Sequence, residues 1–121
     1  MSKVGLDILI KNETHQEDYQ TEGILKDATL SFFDPKQQKH VLKLSQNRID
    51  YERKGIPGFI FVFEKHQSHT GKYYVSHDNY LVFDIQTHRF YYNEDKINIA
   101  YTLKQAEDIV GHSEIDIRMK Y

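Results

Sequence analysis

Apolar and polar residues alternate with a period of two along most of this chain, and the alternation restarts after nearly every turn signal. Ile97, Ile99, Tyr101 and Leu103 alternate with Asn98, Ala100 and Thr102. Ile115, Ile117 and Met119 oppose Glu114, Asp116, Arg118 and Lys120, and Val4, Leu6, Ile8 and Ile10 alternate with Lys3, Gly5, Asp7 and Leu9. Successive side chains of a strand point to opposite faces, so each run predicts a strand with one buried face. No stretch makes a convincing amphipathic helix.

Taken in order, residues 3–10 form the first strand, and the polar residues 11–18 read as an exposed loop. Residues 19–33 read as one long strand bent near Gly23, followed by turn chemistry at Asp34-Pro35. A strand carrying Leu42 and Leu44 and another carrying Ile49, Tyr51 and Arg53 make a hairpin about Ser45-Gln46-Asn47. Gly55-Ile56-Pro57-Gly58 then breaks the chain before the most apolar run, residues 59–63. With three aromatic and two β-branched side chains in succession, that strand is expected to be buried on both faces. Further strands cover residues 72–74, 80–85 and 89–92, the last two separated by a turn at Gln86-Thr87-His88. The strand of residues 97–103 and a final strand after Gly111 complete a count of about ten. Short connections of this kind join antiparallel neighbours, so the expected fold is an all-β, antiparallel up-and-down barrel of about 8–10 strands.

At 121 residues one domain, 1–121, is expected, and nine Tyr and seven Phe supply large core-forming side chains. A net charge of −2 with interleaved signs lacks the basic stripe that a phosphate backbone requires, so nucleic acid is not an expected partner. No run approaches the roughly 18 apolar residues of a membrane-spanning helix, so no membrane partner is expected. Asp7 falls within what would be the apolar core of a signal peptide, and a cytoplasmic location follows as the expectation. The chain has no cysteine, so thiolate chemistry and disulfides are excluded. No cofactor motif accompanies the remaining residues.

Several short segments together resemble the YwiB-like family of uncharacterised bacterial proteins. They are Thr21-Glu22-Gly23, Arg53-Lys54-Gly55, and Phe63-Glu64-Lys65 followed by Tyr73. Residues 81–87 continue the set, then Tyr101-Thr102-Leu103, Gly111 and Ile115-Asp116-Ile117. The resemblance spans most of the chain and implies a bacterial, lipocalin-like (calycin) β-barrel. It departs from the family pattern at His66 and near Asn79, where glycine is common. The family carries no established activity or catalytic residue, so the resemblance implies a fold and transfers no function.

Three functional readings follow from the residues. The leading one is non-enzymatic binding of a small, partly apolar ligand inside the barrel. Phe61, Phe63, Tyr73, Phe83 and Tyr101 would form its walls, and Arg53 or Tyr101 would orient the ligand's polar end. In the second, Ile60 and Val62 form an apolar outer stripe that a homodimer partner covers. In the third, Glu64 acts with His66 or His69 in acid–base catalysis, or His66, His69 and His77 hold a metal. The bland reading of those histidines is a solvated hairpin tip and turn, and no zinc-type spacing or nucleophile motif supports more.

Overall fold

The computed structural model describes residues 2–121, and every regular element in it is a strand. The first five are β1 (Ser2–Asn12), β2 (Gln16–Lys26), β3 (Thr29–Phe33), β4 (Lys39–Leu44) and β5 (Arg48–Arg53). They are followed by β6 (Gly58–Glu64), β7 (Ser68–Tyr74), β8 (Tyr80–Tyr92), β9 (Lys96–Gln105) and β10 (Asp108–Lys120). Each strand pairs antiparallel with its neighbours in sequence, and β1 pairs with β10 to close a ten-stranded barrel. No helix among the described residues is long and apolar enough to cross a membrane.

The period-two pattern sets which side chains enter the barrel. The closing ladder aligns Leu6 with Met119, Ile8 with Ile117 and Ile10 with Ile115, so one inward face continues across the seam. Leu30, Leu42, Ile49, Phe63, Ile85, Ile97, Ile99 and Ile117 are fully buried, and burying such a side chain contributes about 1.5–3 kcal/mol. Most of the interior is therefore packed core.

The structure corrects six details of the strand assignment. Residues 19–33 form two strands, because Asp27 and Ala28 both adopt positive φ (50° and 60°) and reverse the chain. Gly23 is not a bend: a Cβ there would lie 2.7 Å from Leu6 Cδ1 and 2.9 Å from the Ser31 carbonyl oxygen, so it serves close packing. The loop at 11–18 shrinks to residues 13–15, because Asn12 Oδ1 accepts from the backbone N–H of Thr14 (3.0 Å) and His15 (2.8 Å). The turn at Gln86-Thr87-His88 is instead a β-bulge within continuous β8, with Thr87 opposite Tyr101 and Arg89 opposite Ala100. The bulge aims His88 Nε2 at Thr102 Oγ1, which also meets His112 Nδ1 at 2.8 Å. The last strand begins at Asp108 rather than after Gly111, its register shifting between Ile109 and Gly111.

The sixth correction concerns residues 59–63. Phe61 and Phe63 are buried, but Ile60 on the outer face is 46% exposed, so this strand is buried on one face only. Among the described residues no element packs outside the barrel wall at β6, which leaves Ile60 in solvent.

Candidate functional site

In an up-and-down barrel alternate connections lie at opposite ends. The β1–β2, β3–β4, β5–β6, β7–β8 and β9–β10 connections share one end, here called the mouth. At the mouth, Gln38 Nε2 donates to the Pro57 carbonyl oxygen at 2.7 Å and ties the β3–β4 and β5–β6 connections together. A cavity of about 230 Å³ opens there, and its lining includes Arg53, Phe59, Phe61, Tyr73 and Tyr101.

Arg53 is the last residue of β5, and its guanidinium carbon lies 5.1 Å from the Phe59 ring centre and 5.9 Å from that of Tyr73. Both contacts fall in the range of cation–π attraction. Nη2 reaches the Tyr73 hydroxyl oxygen at 3.5 Å, while Nε is buried with no hydrogen-bond partner. Among the described residues Arg53 joins no ion pair. A cation is thus held beside two aromatic rings with no carboxylate within ion-pair distance among the described residues.

Beside the mouth lies a polar network that sequence reasoning missed. Tyr51 O–H donates to His40 Nδ1 at 2.7 Å, and His40 Nε2–H donates to Asp34 Oδ2 at 2.9 Å. An ionised carboxylate can only accept, which assigns this tautomer. Asp34 also accepts from the backbone N–H of Lys36 (2.8 Å) and Gln38 (3.1 Å), and His40 stacks on Phe32 at 4.7 Å. All three polar residues are buried. Burial works to raise the Asp34 carboxyl, but the bonds from His40, Gln38 and Lys36 outweigh it and hold the group below its ordinary range. Burial dominates at His40 and lowers it despite the Asp34 bond, so the imidazole is neutral at neutral pH. The Tyr51 phenol is pushed up by burial and stays protonated. The signal was parity: His40 shares a face with Leu42 and Leu44, and Tyr51 shares one with Ile49.

With the mouth described, comparison with known proteins bears on what kind of chain this is. Residues 6–117 match the family described as Domain of unknown function (DUF1934). The chain belongs to that family. It is similar to the ywiB protein from Bacillus subtilis, whose crystal structure superposes with a TM-score of 0.60 at 15% sequence identity. The match covers 98% of this chain and 91% of the other, and at that identity it speaks for the fold alone. No curated protein matches the chain.

In this DUF1934 chain Arg53, Phe61, Tyr73 and Tyr101 are brought together at the mouth. Phe63 lies in the core instead, fully buried against Tyr101 with ring centres 4.7 Å apart. Phe83 is buried opposite Gly71 and does not line the cavity. Glu64 and His69 meet at 2.7 Å, and His66 sits in the β6–β7 turn with φ of 62°, all at the end away from the mouth. His77 lies in the β7–β8 connection at the mouth, so the barrel separates it from His66 and His69 and the three cannot share one ion. No group of three or more metal-ligating side chains converges among the described residues. Phe59, Leu103, His15 and Glu17 also line the cavity and escaped the site prediction, because strand parity shows which face a residue takes but not at which end of the barrel it lies.

Proposed function

We propose that the protein binds a small, partly apolar molecule in the mouth cavity, with its polar end at Arg53. The observation that carries this reading is the Arg53 guanidinium beside the Phe59 and Tyr73 rings, without an ion-pair partner among the described residues. An unpaired, partly buried charge is costly to a fold, and a ligand that compensates it gains affinity from the same term. Apolar side chains supply the rest of the contact, as in most small-molecule sites. The packed interior below confines the ligand to the mouth and makes it small. Native mass spectrometry of the protein purified from its own host tests this. The wild type is expected to carry a bound small molecule, and Arg53→Met to lose it by at least about tenfold. A wild-type spectrum free of ligand would count against the reading.

A second reading rests on the outer wall. Ile60, Lys72 and Val82 align across β6, β7 and β8, with Ile60, Tyr80 and Val82 each more than two-fifths exposed on that face. A second copy covering this face would make a homodimer. Sedimentation at micromolar concentration is then expected to show a dimer that Ile60→Lys converts to monomer; a wild-type monomer removes this reading.

A further inference from the structure

We infer that the mouth cavity takes a zwitterion, a free α-amino acid with one apolar ring, an inference that rests on the binding reading above. Two charged side chains lining it are uncommitted. Arg53 has no carboxylate partner, and Glu17, which faces inward opposite Ile10 on β1, has no cationic one among the described residues. Lys11 also lines the cavity, but its ammonium is engaged by Glu114 at 3.8 Å. His15 lies in the same lining; apart from it, the charged side chains there without an ion-pair partner among the described residues are Arg53 and Glu17, one cationic and one anionic.

These two charges stand on β5 and β2 and do not meet each other. A ligand with a single negative charge satisfies Arg53 and leaves Glu17 facing it, and a dianion is repelled more strongly. An amine alone has the converse fault at Arg53. A head group carrying carboxylate and ammonium on one carbon satisfies both, and mismatched charge is the strongest basis for rejecting the alternatives. The apolar part of the lining, Ile10, Phe59, Phe61, Tyr73, Tyr101 and Leu103, suits a ring. An apolar cavity of about 150 Å³ holds benzene. At about 230 Å³ this one has room for a single ring and the charged head.

Isothermal titration at pH 7 with phenylalanine, 3-phenylpropanoate and 2-phenylethylamine tests the inference, the last two lacking ammonium and carboxylate respectively. Phenylalanine is expected to bind at least about tenfold more tightly than either analogue. Glu17→Gln should erase its advantage over 3-phenylpropanoate, and Arg53→Met its advantage over 2-phenylethylamine, with thermal midpoints reporting that both variants fold. Either analogue binding as tightly as phenylalanine, or a preference over 3-phenylpropanoate that survives Glu17→Gln, overturns the zwitterion while leaving the cavity a binding site. Failure of all three compounds to bind overturns the zwitterion and counts against the cavity itself.

Discussion

Phe63→Ala is expected to lower the unfolding free energy by about 3–5 kcal/mol, measured by urea denaturation followed through tyrosine fluorescence. The chain has no tryptophan, so tyrosine is the intrinsic probe. Phe63 is fully buried and packs edge-on against Phe61 (6.3 Å) as well as against Tyr101. Truncation removes the transfer free energy of the ring and leaves a void that a closed ladder on every side cannot collapse to fill. Phe63→Leu, which retains most of the volume, should cost well under half as much. A loss below about 1.5 kcal/mol for the alanine variant would show that the interior is loosely packed, contrary to the filled core described above.

Asp34→Ala should be of similar size, about 3–5 kcal/mol, because it leaves three N–H donors without their acceptor, each at a cost of about 1–3 kcal/mol. It strands the His40 Nε2–H and the backbone N–H groups of Lys36 and Gln38, which all donate to Asp34. Asp34→Asn keeps an acceptor at the site and should cost less. The same network makes stability fall in acid. The folded-state value of His40 lies below its ordinary 6.5, so the unfolded chain takes up a proton first as pH drops. Stability contributed by neutral His40 is complete above about pH 6.5 and is lost as pH falls through the folded-state value. The depressed Asp34 carboxyl acts in the same direction below its ordinary 3.8. Urea midpoints compared between pH 7.5 and 5.5 should fall less in His40→Gln than in the wild type; equal falls would show that His40 is not the titrating group.

Much of the fold was legible because strand parity is a local property. The inward faces of β1, β9 and β10 follow directly from alternation between Leu6 and Ile10, Ile97 and Leu103, and Ile115 and Met119. The count of ten strands also holds, though two departures offset each other: residues 19–33 divide at Asp27-Ala28, and the turn at 86–88 vanishes into the His88 bulge. Ala28 at positive φ gives no turn signal in the sequence, since glycine or asparagine ordinarily marks that conformation. Conversely Gln86-Thr87-His88 resembles a turn, yet β9 supplies a continuous partner ladder that holds the segment extended. Pairing across the sheet overrode local preference at both places.

The candidate site was legible only in part, for a different reason. Arg53, Phe61, Tyr73 and Tyr101 were singled out for their chemistry, and so were Phe63 and Phe83, which are equally aromatic and inward-facing. What separates the two groups is height along the barrel, which depends on register across strands distant in sequence. By itself, then, the sequence determined the fold class and the inward faces, because alternation dictates which side of a strand each residue takes. Only the tertiary structure decided that Glu17 on β2 and Arg53 on β5 share one mouth, and that His77 lies apart from His66 and His69. Closure of the barrel through β1 and β10, together with the register of every ladder, sets those relative heights, and neither is a property of any single stretch of chain.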